Sequence, residues 1–264
     1  MLLDSADIRM EDTGDLKDAH ASHGLTNRLQ CRVPSARPVA CILAGGFGTR
    51  LRPLTDAIPK PMVPVAGRPF LQHQLERLAQ AGVSDFVLAV GYRRQQIMDY
   101  FGDGESFGWS IAYAVESAPL GTGGAVANAL PLLPERFLCL NGDTYLDLDW
   151  SAFLADDWNR AGFEGCVAIR AVPDCAPFGR VEVDGRRLVA FHEKLASAGP
   201  GAVNAGLYWF DRALFADRPA AFSLEHLILP VAKLAVHEIA GGFVDIGTFD
   251  TLAAFRASME PHAR

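Results

Sequence analysis

Two cations stand close behind a run of glycines. In C-I-L-A-G-G-F-G-T-R-L-R-P-L-T-D-A-I-P-K-P-M, Cys41 to Met62, an apolar run breaks into Gly45, Gly46 and Gly48; Arg50 follows, and Lys60 sits between Pro59 and Pro61. Glycine lets backbone N–H groups approach phosphate oxygens that a side chain would block. Arginine is a forked donor suited to phosphate. Prolines on both sides predict an extended, pre-fixed backbone at Lys60, which lowers the entropy lost on placing its ammonium. The chemistry these residues suit is the handling of a phosphorylated anion. Two familiar loops are excluded by spacing. G-x-x-x-x-G-K-[ST] fails because Gly45 is followed five residues later by Arg50 and not by Gly-Lys. G-x-G-x-x-G fails because Leu51 stands where the third glycine belongs. Read alone, the loop is equally compatible with a glycine-rich turn that binds nothing.

Four later stretches add polar groups at the ends of predicted elements. E-S-A-P-L-G-T-G-G-A, Glu116 to Ala125, brings Gly121, Gly123 and Gly124 to a helix start. Such an N-terminus favours anions and close backbone contact with a flat base, and the plainer alternative is a helix capped by Thr122. L-N-G-D-T-Y-L-D puts Asp143 after a strand, and F-V-D-I-G-T puts Asp245 in a similar place. A carboxylate there is costly unless solvated, paired or bound to a cation. The two lie about a hundred residues apart, which is no metal motif by spacing. Each alone reads as a turn or cap residue, and Thr248 reads as the N-cap of the last helix. Glu193 and Lys194 in F-H-E-K-L, and Asn204 and Gly206 in V-N-A-G-L-Y-W-F, read alone as a surface ion pair and a strand-edge turn.

These residues need a scaffold. The 264 residues are 50% hydrophobic with a net charge of -7, enough for one sizeable core and without the basic field that nucleic acid requires. No stretch reaches the roughly 20 apolar residues of a membrane span, and the first 20 residues lack the basic flank and apolar core of a secretory signal. The five cysteines, Cys31, Cys41, Cys139, Cys166 and Cys175, form no C-x-x-C pair; a cytoplasmic protein with reduced thiols is expected. Residues 1–37 are polar and aperiodic and read as a loosely ordered or appended tail, with a single domain over 38–264. Apolar runs at Val39–Ala44, Phe86–Val90, Ile111–Val115 and Phe137–Leu140 read as strands. Helical spacing at Leu71, Leu75 and Leu78, at Ile97, Met98 and Phe101, and over Ala125–Leu133 falls between them. This alternation predicts an α/β fold: an open, mixed, mostly parallel sheet with helices on both faces, Rossmann-like. Val167–Ala171, Arg180–Val183, Leu188–Phe191, Asn204–Phe210 and Phe243–Ile246 predict further strands extending the sheet into an antiparallel lobe. Asp184-Gly185 marks a hairpin between two of them.

G-G-x-G-T-R-L followed by P-K-P ten residues after Arg50, together with the four later stretches in order over residues 39–257, resembles the sugar-1-phosphate nucleotidyltransferases, also called nucleotide-sugar pyrophosphorylases. The resemblance implies the nucleotide-diphospho-sugar transferase fold. It implies catalytic roles for Arg50 and Lys60, and nucleotide contacts from Ala44, Gly45, Gly46, Gly48, Thr49, Gly121 and Thr122. It further implies sugar-phosphate contacts from Gly179, Glu193, Lys194 and Asn204, and magnesium held by Asp143 and Asp245. Partners so implied are a nucleoside triphosphate and a sugar 1-phosphate, with no nucleic acid and no membrane; a homo-oligomer stays open. L-G-T-G-G-A, L-N-G-D-T-Y and F-G-R-V-E-V-D-G look most like bacterial D-glycero-α-D-manno-heptose 1-phosphate guanylyltransferases, hence GTP and a route to surface polysaccharide. Mannose or glucose 1-phosphate guanylyl- or thymidylyltransfer, N-acetylmuramate 1-phosphate uridylyltransfer and a non-catalytic nucleotide-sugar sensor remain as alternatives. The proline usual after D-I-G is absent, Pro230–Gly242 is short and the N-terminal segment is extra, which leaves sugar choice and assembly open.

Overall fold

A computed structural model describes residues 37–176, 178–192 and 199–259, and these fall within one compact unit. The tail expected over residues 1–37 therefore lies outside the described residues, apart from Arg37. The chain runs β1 (Val39–Leu43), α1 (Leu54–Ala57), β2 (Pro64–Val65), β3 (Arg68–Pro69), α2 (Phe70–Gln80), β4 (Asp85–Val90), α3 (Arg94–Phe101), β5 (Ser110–Val115) and α4 (Gly121–Ala129). It continues through β6 (Arg136–Asn141), β7 (Thr144–Leu146), α5 (Trp150–Leu154), β8 (Gly165–Val172), β9 (Arg180–Asp184), β10 (Arg187–His192) and β11 (Gly201–Asp211). It closes with α6 (Leu224–Leu227), β12 (Leu234–Glu238), β13 (Phe243–Asp245) and α7 (Phe249–Met259).

Nine strands form one mixed sheet in the order β5-β4-β1-β6-β11-β8-β12-β10-β9. β5, β4, β1 and β6 are mutually parallel, as are β8 and β12; β11 runs antiparallel to β6, β8 and β9, and β9–β10 is the expected hairpin. The apolar runs are continuous because both faces are covered. Alternate residues go to opposite sides. Ala40, Ile42, Phe86 and Leu88 meet Leu71 and Leu75 of α2 and Ile97 and Phe101 of α3. Cys41, Val87, Ala89 and Cys139 meet Ala125, Val126 and Ala129 of α4. The chain thus leaves β1 on one face and β5 on the other, so the strand order reverses at β1. In doubly wound sheets, ligand crevices open at such switch points, outside the carboxyl ends of the strands.

Some expectations needed correction. α4 begins at Gly121 and not at Ala125, and a 3-10 turn over Leu130–Leu132 ends it early. β13 does not extend the main sheet: it pairs with β7 in a separate two-stranded sheet, Asp245 opposite Thr144. Lys60 is not in extended backbone. Pro59 is extended, but Lys60–Met62 is a 3-10 turn, because proline's fixed φ suits the first turn of a helix, where its missing N–H costs nothing. Thr248 does cap α7: its hydroxyl accepts from the Thr251 N–H at 3.2 Å. Among the described residues no helix is long and apolar enough to cross a membrane.

Candidate functional site

The carboxyl ends of β1, β5 and β6 deliver three segments to one cavity of about 430 Å³. It is lined by Ala44–Arg50 from the first glycine loop, by Lys60, by Glu116, Gly121 and Thr122, and by Asn141–Asp143. The loop is held from beneath. Ala44 N–H donates to the Ala89 carbonyl at 2.8 Å, and Thr55 Oγ1 donates to the Gly48 carbonyl at 2.8 Å. Gly48 has φ +62°, a left-handed value that disfavours other residues. The N–H groups of Gly46, Phe47 and Gly48 donate to no group among the described residues. A Cβ on Gly46 would meet nothing within 4 Å, so its backbone borders open space. Unpaired amides on a concave turn are an anion-binding surface.

Glu116 was not singled out by residue type. It is buried, and a Cβ at Gly45 would lie 2.5 Å from its Oε1, so the glycine makes room for the carboxylate. Its Oε2 accepts from the Leu120 N–H at 3.2 Å. Burial pushes its pKa above the usual glutamate value, and the Leu120 N–H pulls the other way.

The second glycine loop behaves differently from expectation. The N–H groups of Gly123 and Gly124 donate to the Phe222 carbonyl at 2.9 and 3.1 Å, so the start of α4 is closed by protein and offers those amides to neither anion nor base. Nor is Thr122 a cap; it lies within α4, and its hydroxyl donates to Glu225 Oε2 at 2.7 Å while accepting from the Leu224 N–H at 2.8 Å. Of this loop's G-T-G-G core, only Gly121 and Thr122 line the cavity.

Asp143 and Asp245 do come together, around Lys60. Its Nζ lies 2.5 Å from Asp143 Oδ2 and 3.5 Å from Asp245 Oδ1. The lysine is buried, and its charge is directed at the two carboxylates. Arg50 is half exposed and its guanidinium approaches Asp245 Oδ2 to 4.0 Å. A Cβ at Gly247 would lie 2.7 Å from that guanidinium, which explains the glycine in D-I-G. Burial raises the Asp245 pKa, and the Asp143 charge adds to the rise; Lys60 and Arg50 oppose it. Among the described residues no group of three or more His, Cys, Asp or Glu gathers to hold an ion. The two carboxylates share one buried lysine, and the half-exposed Arg50 stands only at the edge of ion-pair range of Asp245. Such a pair fits a hard divalent cation that takes its remaining ligands from water and phosphate.

Asp143 is braced by a residue that sequence reasoning passed over. Gln74 of α2 is buried, and its Nε2 donates to the carbonyls of Asn141 and Thr144, both at 2.8 Å. Those carbonyls flank the turn that carries the aspartate.

A second cavity, about 390 Å³, adjoins the first and shares Arg50, Asn141 and Asp143 with it. Asn204, Gly206, Glu225 and Asp245 line it, with Phe178, Phe191 and Phe243 as its apolar wall. Asn204 is partly committed: Nδ2 donates to the Tyr208 hydroxyl at 2.6 Å and Oδ1 accepts from Gly206 N–H at 2.9 Å. Gly179 does not line this cavity, although its neighbour Phe178 does. Glu193 and Lys194 lie outside the described residues.

The chain is 37% identical over 178 residues to a D-glycero-alpha-D-manno-heptose 1-phosphate guanylyltransferase of Campylobacter jejuni, covering 67% of this chain and 78% of that protein. It is 39% identical over 196 residues to a mannose-1-phosphate guanylyltransferase of Mycobacterium tuberculosis, covering 72% of this chain but only 54% of that one. Its fold matches the crystal structure of HddC from Yersinia pseudotuberculosis complexed with GMP-PN, with TM-score 0.75 and 30% identity over 84% of this chain and all of the other. Residues 39–258 match the nucleotidyl transferase family, and the chain belongs to it.

Proposed function

We propose that the chain transfers GMP from GTP to a sugar 1-phosphate, with D-glycero-α-D-manno-heptose 1-phosphate as the first candidate, giving GDP-sugar and pyrophosphate for surface polysaccharide synthesis. The observation that carries the reading is the convergence of Arg50, Lys60, Asp143 and Asp245 beside three unpaired loop amides. A sugar 1-phosphate is already anionic, so its oxygen attacks the α-phosphorus directly and pyrophosphate leaves with the electron pair. The obstacle is charge repulsion, since each phosphate carries roughly -1.5 to -2 near neutral pH. Catalysis then amounts to positioning and charge neutralisation.

In this reading the amides of Gly46 to Gly48 cradle the triphosphate, with Ala44, Gly45, Thr49, Gly121 and Thr122 completing the nucleotide site. Arg50 takes the reacting and leaving phosphates through its fork. Asp143 and Asp245 would hold Mg²⁺, which when bound would supply positive charge to offset that of the phosphates. Lys60, already on both carboxylates, keeps the pair together and adds charge beside the α-phosphate. Lys194 holds the incoming sugar phosphate, while Glu193, Asn204 and Gly179 contribute to the sugar side. Glu116 supports the choice of base. A buried carboxylate beside the nucleotide loop is an acceptor suited to the paired N–H donors on the guanine edge and not to the acceptor edge of a pyrimidine carbonyl. The relatives' names support guanylyl transfer and, between them, either heptose or mannose. Residues 38–264 would act as a single catalytic domain, in the cytoplasm, where nucleoside triphosphates are supplied.

The test is pyrophosphate release across a panel of nucleoside triphosphates and sugar 1-phosphates with Mg²⁺. Release with GTP and one of the two sugars is expected. Release with another triphosphate in preference would overturn the base assignment, and silence across the panel would favour a non-catalytic sensor.

A further inference from the structure

Glu225 lies 103 residues beyond Thr122, yet the two side chains touch. Its carboxylate is used on one side only. Oε2 accepts from Thr122 Oγ1 at 2.7 Å and from Ser223 Oγ at 2.6 Å. Neither hydroxyl can turn away cheaply. Thr122 Oγ1 also accepts from the Leu224 N–H at 2.8 Å, and Ser223 Oγ accepts from the Glu225 N–H at 3.1 Å. Two backbone donors therefore fix the hydroxyl orientations, and the hydroxyls fix the carboxylate as an acceptor. Oε1 bonds no group among the described residues. The residue is half-buried and lines the second cavity, while its partner Thr122 lines the first.

An orientated carboxylate oxygen on a cavity wall is an acceptor for hydroxyl donors and repels phosphate. A sugar 1-phosphate has both ends: an anionic phosphate, which suits Arg50, and a ring of hydroxyls, which suits a carboxylate. Asn204, which also lines this cavity, already spends a donor and an acceptor internally. We propose that Glu225 is a specificity-determining residue that accepts a hydrogen bond from one sugar hydroxyl and, through Thr122, fixes the sugar cavity relative to the nucleotide loop. This rests on the sugar-nucleotidyltransferase reading above and adds a residue and a hydroxyl to it. Discrimination of this kind is steep, because a substrate lacking the hydroxyl leaves a desolvated carboxylate oxygen unpaired.

Glu225→Gln tests it with little disturbance. The amide oxygen can stay on Thr122 and Ser223, which turns the cavity-facing acceptor into a donor. With full-length protein, GTP and Mg²⁺, KM for the sugar 1-phosphate should rise about 10- to 100-fold, while KM for GTP stays within about twofold. In wild type, one singly deoxygenated sugar 1-phosphate should lose about the same factor, and that loss should shrink in E225Q to that of a neutral hydrogen bond. A sugar KM within about threefold of wild type, or equal losses on every deoxy analogue, would overturn the proposal. If E225Q fails to fold, the deoxy panel on wild type decides alone: no single hydroxyl standing out would overturn it. A wild-type chain that forms no nucleotide sugar from any pair would fail the parent reading, a result distinct from an active enzyme indifferent to position 225.

Discussion

The two glycine loops share a composition and differ in what comes close to them. In the first, Gly46 faces open space, and three successive amides have no acceptor among the described residues. In the second, a Cβ on Gly123 would lie 2.2 Å from the Phe222 ring and one on Gly124 2.5 Å from the Ala220 carbonyl, while their amides are taken by the Phe222 carbonyl. Glycine reports that something must approach the backbone. At the first loop Gly46 is left open, in the proposed reading to a ligand, and at the second the approaching group is the protein's own segment 220–222. Only the position of partners distant in the chain separates the two cases.

The comparison can be broken in several ways. The largest effect should come beside the first loop: Asp143→Asn should abolish magnesium-dependent product in a pyrophosphate assay, and undiminished turnover would remove the carboxylate from the site. Arg50→Ala should lower kcat/KM by about 10³-fold, in the range of transition-state arginines. The thermal midpoint should barely move, since the side chain is half exposed and its 4.0 Å approach to Asp245 is worth little to folding. The paired glycine substitutions are the sharpest contrast. Gly46→Ala should cost about 10- to 100-fold in kcat/KM by obstructing the phosphate approach, with stability preserved. Gly124→Ala should do the reverse, destabilising by about 1–3 kcal/mol in denaturant unfolding while the folded enzyme keeps its KM for GTP. Two variants that behaved alike would erase the distinction.

The smallest effect concerns Glu116. Its raised pKa means that the folded state holds the proton more tightly than the unfolded chain. Stability contributed by this group is therefore greatest at low pH and falls as pH rises from the ordinary glutamate value through the raised one. Glu116→Gln should flatten that part of a denaturation-midpoint curve and, above it, unfold no more easily than wild type. An unchanged slope would show that the carboxyl does not titrate in that window.

How much of this was legible beforehand depended on range along the chain. β1, β4, β5 and β6, helices α2 and α3 and the Asp184-Gly185 hairpin follow from local periodicity and turn chemistry, and the four strands stand within a residue of where patterning put them. The first loop was legible because its glycines and cations are contiguous. The pairing of Lys60 with Asp143 and Asp245 spans 83 and 185 residues, and no local pattern encodes it; only the family resemblance suggested that these groups belong together. Glu116, Glu225 and Gln74 had no signal, because each is an ordinary helix-end, strand-end or helix-face residue until its distant partner is known. The start of α4 at Gly121, ahead of the helical spacing over Ala125–Leu133, has the same origin: packing against 220–222 overrides glycine's poor helix propensity.

One amide group at position 74 has consequences out of proportion to its size. Both of its hydrogens are in use, one on each side of the Asn141–Thr144 turn. Glutamate would bring no donor and leucine none either, so either replacement would strand two carbonyls, each at a cost of about 1–3 kcal/mol when desolvated. The aspartate's aim is thereby tied to the seating of α2 against the sheet. Mild denaturant that loosens α2 should dull the response to added cation before the fold itself gives way.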